Sequence, residues 1–188
     1  MKTIIVYAHP EHESHAQFTL KSVEEKLNSK NEQYEIIDLY KIKFNPVLSK
    51  SDLYEGKTKG SAKDVVKMQQ KITDAEHLIF IYPMWWNGMP AILKGFIDRV
   101  FSSGYAFKYV GVLPQGLLHG KRASVFVSTG SKKLITYLFL GNRFKKNATK
   151  DIFGFCGIKA KVYQVDEAYA LNDKQKEKIR KNVEKALG

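Results

Sequence analysis

The chain has 188 residues, a formal net charge of +12 and a single cysteine, Cys156. The length is typical of one domain with a single core, and 44% hydrophobic with 27% charged residues is the composition of an ordinary soluble globule. One cysteine excludes an intrachain disulfide and a cysteine-based zinc site, and it makes the cytoplasm the default compartment. No apolar run approaches the roughly 20 residues of a membrane span. We therefore expect a single cytoplasmic domain over residues 1–188.

The positive charge has two interpretations. The 31 Lys and Arg residues against 19 Asp and Glu residues could recognise phosphates, nucleic acid or an anionic membrane, or could simply form a solvated surface. The lysines are scattered along the chain, which favours a solvated surface that attracts anionic cofactors as a side effect. A nucleic-acid-binding function rests on charge alone and would require steeply salt-dependent binding. We therefore expect no nucleic-acid partner.

Runs rich in β-branched and aromatic residues predict five strands, at residues 3–8, 34–38, 78–82, 123–128 and 160–165. Amphipathic patterns between and after them predict helices at residues 15–28, 61–74, 90–101 and about 172–187. The polar segment 49–60 is interpreted as an exposed loop. Strands that alternate with helices predict an α/β fold, with a doubly wound, five-stranded parallel sheet and helices on both faces.

The loop after the first predicted strand carries three histidines. Ser14 is the predicted N-cap of the first helix, and a helix N-terminus is a ready seat for phosphate. The loop lacks the Gly-x-Gly-x-x-Gly fingerprint of dinucleotide-binding proteins. His9, His12 and His15 raise the alternative of a metal site, but no second cluster of carboxylates and histidines accompanies them. A histidine that binds a phosphate oxygen or caps the helix is favoured, and no metal is expected.

The most informative segment follows the third predicted strand, where Pro83 and Met84 lead into two adjacent tryptophans, Trp85 and Trp86. In an open α/β sheet, ligands bind just beyond the carboxyl ends of the strands. Because exposed tryptophans are costly in water, this pair is expected to line something flat and partly apolar, such as a flavin ring. The alternative is ordinary core packing.

The loop after the fourth predicted strand has the sequence Ser-Thr-Gly-Ser at residues 128–131. Small hydroxyl residues around a glycine allow the backbone to approach a ligand closely. Alone the signal is weak, and its position beside the tryptophan loop strengthens it. The cations that follow are candidates to bind the 2′-phosphate of NADPH, and they are Lys132, Lys133 and Arg143. The alternative, that these three are ordinary surface cations, is equally good.

These motifs together resemble the flavodoxin-like NAD(P)H:quinone reductases. That group includes the quinone reductase proper, bacterial modulators of drug activity, and flavoproteins ancillary to glutathione-gated potassium efflux. The matching segments cover the chain from the first strand to about residue 131, and they are residues 8–10 with 14–16, 83–86 continuing to 97–101, 104–107 and 128–130.

The resemblance implies a role for each motif. The first loop would hold the flavin phosphate and ribityl chain, through His9, Ser14, His15, Ala16 and Gln17. The second would wrap the isoalloxazine, through Pro83, Met84, Trp85, Trp86 and Asn87. The third would close the other side, through Thr129, Gly130 and Ser131. Tyr105 and Phe107 would wall the pocket for nicotinamide and then for the acceptor, with structural packing as their alternative.

Two departures from the family pattern limit the assignment of catalytic residues. The family usually has two glycines after the threonine, whereas this chain has Gly130 and Ser131. Larger quinone reductases also place a tyrosine and a histidine after that loop, whereas Tyr137 is one position off and no histidine follows it. The catalytic residues therefore stay unknown, with Tyr105, Phe107 and Tyr137 as possible pocket residues.

The resemblance implies a flavin-dependent oxidoreductase that passes hydride from NAD(P)H through bound FMN to a quinone or similar acceptor, with ping-pong kinetics. FMN is favoured over FAD because the long C-terminal extension of the larger enzymes is missing, and FAD stays possible. The alternative is an ancillary flavoprotein of a membrane potassium-efflux transporter, in peripheral contact with it. A homodimer is expected, because exposed Trp85, Trp86, Tyr105 and Phe107 would form a patch unusually large for a monomer.

Overall fold

The computed structural model describes residues 2–11, 13–52 and 62–188. Its strands are β1 (Thr3–Tyr7), β2 (Tyr34–Asp38), β3 (His77–Pro83), β4 (Phe107–Val110), β5 (Leu113–Gly116), β6 (Arg122–Ser128) and β7 (Lys159–Val165). Five of them form a parallel sheet in the order β2-β1-β3-β6-β7, and β4 and β5 form a separate antiparallel ribbon.

The α-helices are α1 (His15–Ser29), α2 (Lys63–Asp74), α3 (Ala91–Val100), α4 (Lys133–Leu138), α5 (Arg143–Lys146) and α6 (Asp173–Leu187). A 3-10 turn covers Lys50–Asp52, and a π-helical turn at Asn147–Ile152 follows α5. The strand order is that of the flavodoxin-like doubly wound sheet, in which ligands bind where the winding reverses, here between β1 and β3. The predicted fold class is confirmed.

The core lies on both faces of the sheet. Every residue of β1 and β3 is buried, as expected for near-continuous apolar runs in parallel strands. Successive side chains point to opposite faces, so Ile4 and Val6 join the core under α2 and α3, while Ile5 and Tyr7 join the core under α1 and α6. Burial on both faces holds β1 and β3 in place, and this also determines where the loops that follow them begin.

The predicted elements agree with the structure to within two residues at each end, as far as the described residues reach. Ser61, the predicted start of α2, and residues 53–60 of the predicted exposed loop lie outside the described residues. Two features were not predicted, namely the ribbon and the division of the β6–β7 connection into short helices. The reason for the division is local, because Gly141 and Asn142 adopt left-handed conformations, with φ of 58° and 51°, that end a helix.

The two edges of the sheet are distinguished by chain direction. The loops that leave β1, β3, β6 and β7 lie at the carboxyl edge, and the segments that enter these strands lie at the amino edge. Since α3 starts just after β3 and runs back to the level at which β6 begins, the segment after it lies at the amino edge. Within the described part of the chain, no helix is long and apolar enough to cross a membrane.

Candidate functional site at the carboxyl edge

The first loop presents unpaired backbone donors at the start of α1. Ser14 is the N-cap, as predicted, and its Oγ accepts the N–H of Gln17 at 3.1 Å. The N–H groups of His15 and Ala16 find no acceptor among the described residues. Free donors and the positive end of a 15-residue helix form a seat for an anionic group such as a phosphate.

The two described histidines of this loop have different environments. His9 is half-buried, and its Nδ1 accepts the N–H of Glu11 at 3.0 Å while its ring lies 6.3 Å from the ring of Trp85. His15 is buried, and its Nε2 has no hydrogen-bond partner among the described residues. Burial lowers the pKa of His15, although the backbone of Ala170 opposes the shift. A neutral His15 with an orphaned ring nitrogen can therefore bind a polar ligand atom.

The third histidine, His12, lies outside the described residues. Over residues 2–11, 13–52 and 62–188, no group of three or more His, Cys, Asp or Glu side chains is arranged to hold a metal ion.

The second loop is a tight turn that displays both tryptophans. Trp85 and Gly88 exchange two backbone hydrogen bonds, at 3.1 and 2.9 Å. Between them, Trp86 and Asn87 have φ of 51° and 58°, the two positive values that define a type I′ turn. The side chain of Trp86 is fully exposed and that of Trp85 is 43% exposed. The alternative of core packing is therefore wrong for this pair.

Backbone donors in the second loop are divided between structure and solvent. Pro83 has no N–H, and the N–H of Met84 donates to the carbonyl of Ser128 at 2.8 Å. The N–H groups of Trp86 and Asn87 find no acceptor in the described ranges. Buried Oδ1 of Asn87 likewise lacks a partner there. The turn thus offers two donors and one acceptor to a ligand with a polar edge.

The third loop is built around Thr129, which is buried. Its N–H donates to the carbonyl of Val165 at 2.8 Å, and its hydroxyl donates to the carbonyl of Ser131 at 3.1 Å. The same hydroxyl accepts Nε2 of Gln164 at 3.0 Å. These bonds occupy both donors of Thr129 in holding the loop. In contrast to the donors of Thr129, the N–H groups of Gly130 and Ser131 have no acceptor among the residues described.

A fourth loop, residues 166–171, completes this edge and was missed from the sequence. A β-carbon built on Gly130 would lie 3.4 Å from Cε1 of Tyr169, so the tyrosine ring covers that glycine. The ring is 82% exposed, yet its loop is fixed, because the N–H of Ala168 donates to the carbonyl of Thr129 at 3.0 Å. The available signal was an aromatic residue four positions after the carboxyl end of a strand.

Two of the predicted pocket residues lie elsewhere. The hydroxyl of Tyr105 donates to the carbonyl of Gln69 on α2 at 2.7 Å, and Phe107 packs against Phe155 with ring centroids 4.9 Å apart. Both are half-buried at the amino edge. Within one chain they do not wall the pocket, and they are not part of an exposed patch with the tryptophans. Burial, opposed by a hydrogen bond from Thr73, raises the pKa of Tyr105 to about 12.

The remaining candidates follow the third loop. Tyr137 lies on α4 and is exposed, as are Lys132, Lys133 and Arg143. Nζ of Lys132 is 3.8 Å from a carboxylate oxygen of Glu167, and both side chains are exposed. Such a pair contributes little, so these cations are free to meet an anionic ligand, and their role with NADPH stays a prediction.

Four loops therefore combine unpaired backbone donors with exposed rings at one edge. The donors belong to His15, Ala16, Trp86, Asn87, Gly130 and Ser131. The rings belong to Trp85, Trp86 and Tyr169. This combination suits a planar ligand that has an anionic group at one end and polar atoms along its edge.

Comparisons with known proteins agree with this geometry. A Haemophilus influenzae protein, named as an uncharacterised NAD(P)H oxidoreductase, is 30% identical over 178 residues, covering 93% of this chain and 88% of that protein. An FMN-dependent NADH:quinone oxidoreductase of Clostridium perfringens is 34% identical over 168 residues, covering 87% and 83%. The crystal structure of Smu.1420 from Streptococcus mutans is 34% identical, with a TM-score of 0.87 over 100% of this chain and 98% of that one. The family model for the flavodoxin-like fold matches residues 1–187, and the chain therefore belongs to that family.

Proposed function

We propose that this protein is a flavin-dependent oxidoreductase that uses NAD(P)H to reduce a quinone or similar acceptor, with FMN bound at the carboxyl edge. The observation that carries the proposal is the set of unpaired backbone donors on three loops around exposed aromatic rings. The names of the Haemophilus and Clostridium relatives support the same reaction class. The balanced reaction is NAD(P)H, a proton and a quinone giving NAD(P)+ and the hydroquinone.

The residues present fit a flavin mononucleotide. The start of α1, with the free N–H groups of His15 and Ala16, would hold the phosphate. Two buried polar atoms that have no partner among the described residues, His15 Nε2 and Asn87 Oδ1, would gain one on binding. Leaving such atoms unsatisfied costs about 1–3 kcal/mol each, so their pairing would add to the affinity.

A bound flavin supplies the hydride-transfer chemistry, and the chain orients its reactants. Trp86 and Asn87 would present their N–H groups to the polar edge of the ring system, and Gly130 and Ser131 would do so from the other side. Such donors favour negative charge on that edge without reorganising. Since NAD(P)H and the acceptor would use one pocket in turn, ping-pong kinetics are proposed.

We also propose that a second copy covers the site, giving a homodimer. Trp86 at the carboxyl edge and Tyr109 and Val112 of the ribbon are large apolar side chains left exposed. Because Tyr105 and Phe107 lie at the amino edge, they would approach a flavin only in another copy. Light scattering of the flavin-loaded protein tests this, and a monomer at micromolar concentration would refute it.

We also propose that residues 1–188 form a single flavin-binding domain and that the protein is located in the cytoplasm. The role as an ancillary subunit of a potassium-efflux transporter stays an untested alternative, which copurification with a membrane protein would favour.

The deciding experiment is an absorption spectrum of the purified protein, followed by release and identification of its cofactor. We expect FMN, and NAD(P)H oxidation that depends on both FMN and an added quinone. A colourless protein that binds neither FMN nor FAD on reconstitution would overturn the proposal.

A further inference from the structure

Gln164 places a polar side chain in an otherwise apolar row of β7. Ala160 and Val162, on the same face of the strand, pack against the core under α2 and α3. Gln164 takes the next position in this row and is half-buried. Withdrawing an amide from water costs free energy unless its hydrogen bonds are replaced, so the side chain of Gln164 needs partners inside the protein.

Two buried threonine hydroxyls supply those partners. Nε2 of Gln164 lies 3.0 Å from Oγ1 of Thr129 and 3.4 Å from Oγ1 of Thr136. The hydroxyl of Thr129 already donates to the carbonyl of Ser131 at 3.1 Å. The hydroxyl of Thr136 already donates to the carbonyl of Lys133 at 2.8 Å. Because a hydroxyl has one hydrogen and two lone pairs, both threonines can only accept from Gln164. An amide nitrogen with two hydrogens matches this pair of acceptors, whereas a carboxylate or an apolar side chain does not.

The two threonines bracket the part of the third loop that would face a ligand. Between them lie Gly130 and Ser131, whose N–H groups have no acceptor in the described part of the chain, and the first turn of α4. Since one amide bonds both ends of this segment, it restricts the positions that the two free donors can take. Residues behind a site hold its geometry in this way.

Neighbouring contacts hold Gln164 itself and the start of α4. The carbonyl of Gln164 accepts Nδ2 of Asn182 on α6 at 3.2 Å. The N–H of Lys133 donates to Oδ2 of Asp166 at 2.8 Å. The carboxyl end of β7 therefore supports the third loop through side chains as well as through the main chain. Asn182 contacts only the backbone of Gln164, so the two kinds of support can be separated by substitution.

We infer that Gln164 is a positioning residue for the candidate site, which acts through Thr129 and Thr136 to aim the N–H groups of Gly130 and Ser131 at the polar edge of the flavin. The inference rests on the proposed function, and it adds a residue outside the loops to those that set the affinity and the reduction potential of the flavin. Donors aimed at that edge favour the negative charge that reduction places there. Their misplacement should therefore weaken the binding of reduced flavin more than that of oxidised flavin.

The test substitutes Gln164→Met, which keeps the length of the side chain and removes both donors. In titrations of the full chain with FMN, the dissociation constant should rise roughly 10-fold, as expected when two neutral hydrogen bonds to the ligand are weakened. The matched control is Asn182→Ala, which removes a hydrogen bond to the backbone of Gln164 and leaves both threonine contacts in place. Its dissociation constant should equal that of the wild type.

The reduction potential of bound FMN gives a readout that a loss of stability alone does not move. Hydrogen bonds to a charged acceptor are roughly twice as strong as neutral ones, so reduced FMN should lose roughly 100-fold in affinity where oxidised FMN loses roughly 10-fold. That tenfold difference lowers the two-electron potential by about 30 mV. We expect this shift in Gln164→Met and no shift in Asn182→Ala.

A double-mutant cycle shows whether Gln164 acts through Thr129. Thr129→Val removes the accepting hydroxyl and should itself weaken FMN binding. In that background, Gln164→Met should cost only about 2- to 3-fold, because the longer contact with Thr136 is all that is left to lose. A further 10-fold loss would show that Gln164 acts by another route and would overturn the inference.

The remaining outcomes separate this inference from the proposed function. Wild-type affinity and potential in Gln164→Met would overturn the inference and leave the proposed function standing, and so would an equal loss in Asn182→Ala. If the flavin-loaded wild type reduces no quinone while Gln164→Met still shifts affinity and potential, the proposed function fails and the inference stands. A wild type that binds no flavin would overturn both. If Gln164→Met does not fold, Gln164→Glu replaces it, since a carboxylate of the same size offers acceptors only and should produce the same shifts.

Discussion

Polar groups are hydrogen-bonded at the amino edge of the sheet, whereas several at the carboxyl edge are left without a partner among the described residues. At the amino edge, Nζ of Lys121 donates to the carbonyls of Thr73 and Ala75, at 2.8 and 2.5 Å, and so closes the end of α2. Tyr105 closes the same helix through Gln69. At the carboxyl edge, backbone donors on three loops find no acceptor in the described residues, and large rings stand in solvent.

This difference separates structural from functional aromatic residues. Folded chains satisfy nearly all their buried polar groups, and a side chain used for that purpose is not available to a ligand. Tyr105 and Trp86 are both large aromatic residues within motifs of the same family resemblance, yet only Trp86 is free. Substitutions at both edges, together with the pH dependence of stability, test this contrast.

Trp86→Ala should weaken flavin binding strongly and leave the apo-protein's melting temperature unchanged. The side chain is fully exposed, so the fold loses nothing, whereas loss of an aromatic contact to the flavin costs on the order of 2–4 kcal/mol, or roughly 30- to 1000-fold in dissociation constant. Flavin titration and thermal melting measure the two quantities.

Trp86→Gly is the control, because glycine suits the positive φ and should raise the apo-protein's unfolding free energy by up to about 1 kcal/mol. Unchanged flavin affinity in both variants would show that the ring lies elsewhere.

His77, at the amino edge, should make the unfolding free energy depend on pH. It is completely buried and its Nε2 bonds Ser124 Oγ at 2.9 Å. Burial, with the nearby charge of Arg122, lowers the pKa of His77 to about 4. Between that value and about 6.5 the unfolded chain binds the extra proton, so stability is complete above pH 6.5 and falls as the pH approaches 4.

Urea denaturation at pH 7.5 and pH 4.5 measures this effect. The wild type should lose about 2 kcal/mol from this histidine over that interval, and His77→Asn should lose correspondingly less. An identical loss in both proteins would assign the pH dependence to other groups.

Tyr105→Phe should lower the unfolding free energy by about 1 kcal/mol, because the carbonyl of Gln69 loses a hydrogen bond. Flavin affinity and kcat of the monomeric protein should not change, since the residue lies at the amino edge. A change in flavin affinity without a change in stability would reverse the assignment. A loss only in the assembled protein would instead support a contribution from the second copy.

Tyr169→Ala should weaken flavin binding roughly 5- to 10-fold, as expected for loss of one ring contact at an exposed site. Tyr169→Phe should retain the affinity, since the prediction concerns the ring and not the hydroxyl. If neither substitution alters the dissociation constant, the ring over Gly130 is a surface feature outside the site.

Much of this edge could be predicted from the sequence, because the loops that leave parallel strands gather at one edge. The sequence alone located three of its parts, namely the strand that ends at Pro83, the helix cap at Ser14 and the loop of Gly130. Tyr105 does not reach the pocket of its own chain, and chain direction contained that answer, since any residue just after α3 must lie at the opposite edge. The bond between Gln164 and Thr129 joins residues 35 apart, and a local pattern carries no signal for it. Tyr169 was missed because the resemblance ended near residue 131.

The frame of the candidate site is made by the main chain. Met84 is bonded to Ser128, Thr129 to Val165, and Ala168 back to Thr129, in each case from an N–H to a carbonyl. No side chain takes part in these three bonds, so over evolutionary time the side chains that the edge displays to a ligand can be exchanged while these bonds survive. Proline alone is barred at the three donor positions, since it lacks the N–H. Descendants of one ancestral protein could thus acquire different acceptors by changing what the frame displays, with no need to rebuild the frame itself.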